Sequence, residues 1–353
     1  MRMRIALTLI PTSFLSLCLP SPASAQLPDS LAPALTLPVG DFNFWIGGWA
    51  VNLRTLQADA SWQDTYTGRA EVYSVLGGKA ILELWDEQTL KGFSIRYRDP
   101  IRDVWSLWLN WPAPNRSGTS GLEGDFRHGR GEFFTTFLNA DSTEVIARYT
   151  FSDITPTSLR WDDAYSSDGG ETWTPRWIME FTRMAVEPRF GGDGGPAHTF
   201  DTGDRCDLPA FDRYEFLSGP WVGTANERGR DRPVAVTGYQ ILDGCALLLF
   251  AGRTGRPETA NRFAHLTWNT SREAYELLSL TGDSASTARQ MSGEIHDTGF
   301  TFYDGDDPAS RVWRVRIERG ADDVVHWVEE IRESDGWVMQ WQATVERFVP
   351  GRS

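Results

Sequence analysis

One stretch of this sequence occurs twice. Phe42-Asn43-Phe44-Trp45-Ile46-Gly47-Gly48-Trp49-Ala50-Val51 returns as Tyr214-Glu215-Phe216-Leu217-Ser218-Gly219-Pro220-Trp221-Val222-Gly223, with Trp221 standing 172 positions after Trp49. Both copies read aromatic-x-Phe-x-x-Gly-x-Trp and run on into small or β-branched residues. Gly47 and Gly219 permit a tight backbone approach or a positive φ, and the indoles of Trp49 and Trp221 are large enough to plug one end of a barrel. A single Gly-x-Trp arises easily by chance, so the weight rests on the register downstream. Tyr73–Leu82 aligns with Tyr239–Leu248, Phe93–Leu109 with Phe263–Ser279, and Ser167-Asp168-Gly169 with Ser334-Asp335-Gly336. The chain therefore holds two copies of one unit of roughly 140 residues.

Within a unit the signals are those of short strands. Ile81–Trp85, Phe93–Tyr97 and Trp105–Trp111 follow one another at about 12 residues, with turn chemistry such as Asp99-Pro100 between them. Further strands are expected at Gly131–Leu138, Val145–Phe151, Leu159–Tyr165 and Trp173–Met184. No window longer than about 12 residues carries a 3.6-residue period. Antiparallel β closed on itself is the natural outcome, because closure removes exposed edges. The expected fold class is all-β, two tandem antiparallel barrels. The first spans 41–184, a linker containing Gly191-Gly192-Asp193-Gly194-Gly195-Pro196 spans 185–209, and the second, divergent barrel spans 210–350.

The start of the chain reads as a targeting segment. Arg2 and Arg4 precede an apolar run from Ile5 to Leu19, and Ala23-Ser24-Ala25 is a cleavage signal, so residues 1–25 are expected to be removed after Ala25 and 26–40 to be an irregular lead-in. The expected location is outside the cytosol, in a periplasm. No later stretch approaches the roughly 18 to 20 apolar residues of a spanning helix. The net charge of −14 argues against nucleic-acid binding, which needs clustered Lys and Arg. Cys206 and Cys245 remain after cleavage. In an oxidising compartment they can bridge, closing a loop of about 40 residues worth roughly 3 to 4 kcal/mol, or stay as two buried thiols.

The motifs Phe42-x-Phe-x-Ile-Gly-x-Trp49, Gly78-x-Ala-x-Leu-Glu83-x-Trp85, Gly92-x-Ser94, the pair Trp105/Trp108 and Ser166-Ser167-Asp168-Gly169-Gly170-Glu171-Thr172-Trp173 together resemble a family of bacterial lipocalin-like (calycin) proteins. Nitrobindin and fatty-acid-binding proteins are similar at a greater distance through the Gly-x-Trp start. The resemblance covers nearly all of the first unit and implies a barrel of eight to ten strands with a central cavity. The second unit departs from it: Leu249 stands at the place of Glu83, Tyr275 at that of Trp105 and Leu278 at that of Trp108. A polar cavity is thus doubtful there.

Candidate chemistry is sparse. Ser166-x-Asp168-x-Gly170-x-Thr172-Trp173 matches the Asp-box of sialidases, but one full copy reads as a hairpin turn in which Asp168, Gly170 and Trp173 are structural. No pair among the five histidines has metal-ligand spacing, and the closing strands lack a histidine for haem, so no metal or cofactor is expected. Period-two counting puts Trp105, Leu107, Leu109 and Trp111 on one face. Carried onward, it adds Phe93, Ile95 and Tyr97, then Leu159, Trp161, Asp163 and Tyr165, then Trp177, Met179 and Phe181. Such a face is a packed core or an aromatic-lined cavity for an apolar ligand. The expected ligand contacts are Tyr97, Trp105, Trp111, Trp161, Asp163, Tyr165 and Trp177. On the same parity Glu83, Arg96, Asn110, Arg160 and Asp162 face solvent, unless a bulge turns Glu83 and Arg96 inward as an ion pair.

These readings lead to binding of a small apolar or amphipathic molecule in the first barrel. A metal-free isomerase, hydratase or cyclase acting on a lipid-like substrate, with Asp163 and Tyr165 as acid and base, is the alternative. A structural or partner-binding module with filled barrels is the third.

Overall fold

The structure is a computed structural model and describes residues 42–87, 91–112, 117–139, 141–185, 206, 208–282 and 288–350. The targeting segment, the lead-in 26–40 and most of 185–209 lie outside the described residues. Ten strands form the first barrel: β1 (Gly47–Leu56), β2 (Trp62–Val75), β3 (Ala80–Glu87), β4 (Lys91–Asp99), β5 (Val104–Asn110), β6 (Ser120–Arg127), β7 (Arg130–Leu138), β8 (Glu144–Ser152), β9 (Ser158–Ser166) and β10 (Thr174–Arg183). Ten more form the second: β11 (Gly219–Glu227), β12 (Arg230–Ile241), β13 (Ala246–Gly252), β14 (Arg262–Asn269), β15 (Ala274–Thr281), β16 (Ala288–His296), β17 (Gly299–Tyr303), β18 (Trp313–Arg319), β19 (Val325–Glu333) and β20 (Gly336–Arg347). Each strand pairs antiparallel with its neighbours in sequence, and β1–β10 and β11–β20 pairings close the two barrels. The fold is all-β, two tandem closed antiparallel barrels.

The doubled motif closes the same end of each barrel. A short 3-10 helix, Phe42–Trp45 or Glu215–Leu217, leads into the first strand, and Gly47 (φ 131°) and Gly219 (φ 85°) make the turn in a region that side chains disfavour. The indole N–H of Trp49 donates to Trp45 O at 2.7 Å, and that of Trp221 to Leu217 O at 3.1 Å. An arginine from the last strand covers each indole. Arg183 lies 4.0 Å over Trp49 and donates to Ile46 O and Phe44 O; Arg347 lies 3.9 Å over Trp221 and donates to Phe216 O and Ser218 O. These guanidinia satisfy carbonyls that the 3-10 helix leaves unpaired. Burial lowers the Arg183 pKa to about 10.

The two barrels pack side by side through β3–β5 of the first and β13–β15 of the second. Phe93 stacks on His265 with centroids 4.4 Å apart and planes within 2°, and on Phe263 at 6.3 Å. Asn110 Nδ2 stands 3.4 Å from His265 Nε2, Ser117 Oγ is 3.0 Å from Thr267 Oγ1, and Lys91 pairs with Asp243 at 2.6 Å. Strands buried on both faces need apolar residues at every position, which is why β13 reads Ala-Leu-Leu-Leu-Phe-Ala-Gly with all seven buried. Cys206 and Cys245 form a disulfide across 39 positions, tying the segment before the one-turn helix Pro209–Asp212 to the turn that precedes β13.

This contact corrects the expected facing of β4. Asp99 pairs with Val104, leaving four residues in the turn, so Arg96 pairs with Leu107 and Ile95 with Trp108. An even number of turn residues reverses parity across a hairpin. Tyr97 and Trp105 are eight positions apart yet face opposite ways. Tyr97, Phe93 and Ile95 therefore point out of the barrel toward its neighbour and are buried there; Tyr97 is not a cavity residue. Glu83 and Arg96 do not face solvent. They point inward, and Asn110 is buried between the barrels.

Candidate ligand-binding mouths of the two barrels

Each barrel is plugged at one end, which leaves the other as its mouth. In the first barrel Phe42 fills the plugged end against Trp105 (5.1 Å), Phe126 (4.9 Å), Phe133 (5.3 Å) and Phe151 (5.2 Å). Above this floor Arg96 donates to Glu83 at 2.8 Å and its guanidinium lies 4.5 Å over the Trp45 ring. Ser94 also donates to Glu83, at 2.7 Å. Burial works against the charged form of Arg96, and the Glu83 carboxylate beside it offsets this in part.

The mouth of the first barrel is aromatic. Trp111 stacks on Trp177 (5.5 Å, 20°) and Tyr149 (6.3 Å, 6°) and meets Trp85 at 5.8 Å and Trp161 at 6.0 Å. These rings fill most of the space they line, leaving a cavity of about 20 Å³, enough for one water molecule.

Asp163 also lies here, fully buried. The β9–β10 register shifts between Pro175 and Trp177, a bulge at Arg176. Asp163 Oδ1 accepts the Trp177 N–H at 2.7 Å, and Oδ2 accepts from Tyr165 at 3.0 Å and from Arg176 at 3.2 Å. Desolvation raises the Asp163 pKa, with Arg176 acting against it, and burial likewise raises that of Tyr165. The carboxylate thus serves the bulge. Beyond it Asp168 accepts from Thr172, Ser166 accepts the Gly170 N–H at 2.8 Å, and Trp173 donates to Gly170 O at 3.0 Å, all within the β9–β10 turn. Those hydrogen bonds hold the Asp168 carboxyl well below the ordinary range.

The ladders place the mouth of the second barrel residue for residue on the first. Trp85 pairs with Gly92, as Ala251 does with Arg262; Asp163 pairs with Trp177, as Glu329 does with Trp341. Continuing across the next strand, Trp111 corresponds to Thr281. The second copy thus lacks two of the rings that crowd the first. A cavity of about 400 Å³ opens there, with Ala225, Pro233, Val234 and Trp341 as its apolar wall and Arg232 and Arg253 among its polar lining. Behind the wall Arg262 lies 4.6 Å over Trp341 and reaches Glu227 at 3.4 Å and Glu329 at 3.7 Å. A wider hollow of about 830 Å³ near Phe216 and His296 belongs to the plugged end and is lined mainly by polar groups.

Of the residues expected at a ligand site, Trp111, Trp161, Asp163, Tyr165 and Trp177 come together at the first mouth. Trp105 sits at the plugged end and Tyr97 outside the barrel. Trp85, Tyr149 and the second mouth were not anticipated.

No protein-family model matches the sequence, and no curated protein does. Among solved structures the chain is similar to an S-type phycobiliprotein lyase from Guillardia theta (14% identity, 45% of this chain and 100% of that one, TM-score 0.30). It is also similar to a protein of unknown function from the DUF3598 family of Nostoc punctiforme (10% identity, 87% and 97%, TM-score 0.26). Likenesses of this size do not bear on what the barrels hold.

Proposed function

We propose that the protein binds a small amphipathic molecule, and that the ligand is taken into the mouth of the second barrel. The observation that carries this reading is the opening of about 400 Å³ beside Trp341, in the size range of small-molecule clefts. The wall of Ala225, Val234 and Trp341 suits the apolar part of a ligand, at roughly 25 cal/mol per Å² buried. Arg232 and Arg253 favour an acidic end, since the Glu227 carboxylate that also lines the opening is already paired with Arg262. Arg262 is already held by Glu227 and Glu329 and braces the Trp341 ring.

We place the protein outside the cytosol. The disulfide between Cys206 and Cys245 supports an oxidising compartment, in keeping with the targeting character of residues 1–25.

Binding is tested by titrating dodecanoate and dodecylamine into the full chain, with native mass spectrometry of protein taken from its own source to show what co-purifies. Trp341→Ala should weaken dodecanoate about tenfold or more, as expected for losing a central aromatic contact. Equal affinity for the acid and the amine, or no effect of Trp341→Ala, would overturn this assignment.

A further inference from the structure

Among the rings at the mouth of the first barrel, Trp111 meets each of the others. Trp111 stands just beyond β5, only partly buried, and its ring stacks on both Trp177 and Tyr149. Its close fit depends on Gly92, where a Cβ atom would come within 2.6 Å of Trp111 Cδ1. The space beneath holds about 20 Å³ and is lined in part by Trp45, Glu83, Trp85 and Arg96. Among the described residues three of these side chains have no acceptor for a buried N–H: Trp45 Nε1, Trp85 Nε1 and Arg96 Nε. An unsatisfied buried donor costs about 1 to 3 kcal/mol and is rare in folded chains.

We infer that Trp111 occupies a binding slot for a planar ring bearing a neutral carbonyl oxygen. The ring takes the place of Trp111 against Trp177 and Tyr149, and the oxygen accepts from the donors below. Charge decides between a carbonyl and a carboxylate. Arg96 is already paired with Glu83 at 2.8 Å, so the pair is neutral as a unit. A carboxylate added beside it would be a buried anion without a counter-ion, at an effective cost of several kcal/mol. A ketone or amide oxygen brings no such charge and removes donor penalties already present. This slot is separate from the opening beside Trp341, and neither assignment depends on the other.

The test is calorimetric titration of the full chain with 3-acetylindole, 3-ethylindole and indole-3-carboxylate, with near-ultraviolet circular dichroism following the stacked indoles. The ketone should bind at least about tenfold tighter than either analogue and change the dichroism, since one good hydrogen bond is worth about a factor of ten. Trp111→Ala should tighten ketone binding about tenfold, whereas Gly92→Ala, whose Cβ would intrude on the place of the ring, should weaken it; Trp341→Ala should leave it unchanged. The inference fails if the ethyl or carboxylate analogue matches the ketone on the unmodified chain, if the ketone does not bind it, or if a folded Trp111→Ala protein binds the ketone no better.

Discussion

Acid should loosen the contact between the barrels, and His265 is the reason. Its ring is fully buried, stacked on Phe93, with Asn110 Nδ2 and Thr119 Oγ1 each 3.4 Å from a ring nitrogen. The nearest acidic group among these contacts is Glu276, which accepts from the Thr119 N–H at 2.8 Å and from Asn269 at 2.7 Å. Desolvation lowers the His265 pKa from 6.5 to about 3. The folded value is below the unfolded one, so the unfolded chain binds the proton first. The stability contribution is intact above pH 6.5 and falls away toward pH 3. Linkage gives a loss of about 2 kcal/mol between pH 7 and pH 5 from this residue alone. Urea unfolding of the full chain at a series of pH values reads the slope, and His265→Asn removes the titrating ring while keeping a polar side chain. The variant will be less stable at pH 7 because the stack is lost, so the comparison is between slopes. If wild type and variant lose stability in parallel from pH 7 to pH 5, the argument from the buried neutral imidazole is wrong.

Other expectations follow from the same contacts. Arg183→Ala removes the cover over Trp49 and leaves the carbonyls of Phe44 and Ile46 without their donor, so unfolding free energy should fall by about 2 to 4 kcal/mol; a loss under about 0.5 kcal/mol would show that water replaces the guanidinium at no cost. Cys206→Ser opens the loop closed across 39 positions and should cost roughly 3 to 4 kcal/mol in the chain-entropy account, read as a lower urea midpoint that the reduced wild type matches.

The doubled Gly-x-Trp and the alternating strands made the architecture legible, because a plug and a closed sheet impose local demands on particular residues. Which way each strand faces was not legible. Alternation runs along a strand, but the number of residues in a turn decides whether it carries across, and the four between Asp99 and Val104 reverse it. Tyr97 was misplaced for that reason, and Glu83 and Arg96 with it. The contact between barrels hid the error, since Phe93, Ile95 and Tyr97 are as buried outside the barrel as a core residue is inside. The opening in the second copy was not legible either, because its walls, Ala225, Val234 and Trp341, come from three strands that the sequence does not bring together.

What the copies share and what they do not follows from which groups must be satisfied. At the plugged end the 3-10 helix exposes backbone carbonyls, and the same arginine answers them in both, Arg183 and Arg347. At the mouth the register shift also recurs at one place, with Arg176 in the first copy and Gln340 in the second standing out of the ladder beside Trp177 and Trp341. A bulge there turns the next indole over the opening while the strand keeps its pairing. The remaining mouth positions carry no backbone obligation and are free to change in size. Indoles at Trp85 and Trp111 crowd the first mouth; Ala251 and Thr281 stand in their places in the second, and Arg262, in the place of Gly92, lies over the Trp341 ring that walls the opening there. The Gly-x-Trp plug, its arginine cover and the bulge are thus kept in both copies because each answers a backbone demand, while Trp85 and Trp111, which answer none, give way to Ala251 and Thr281.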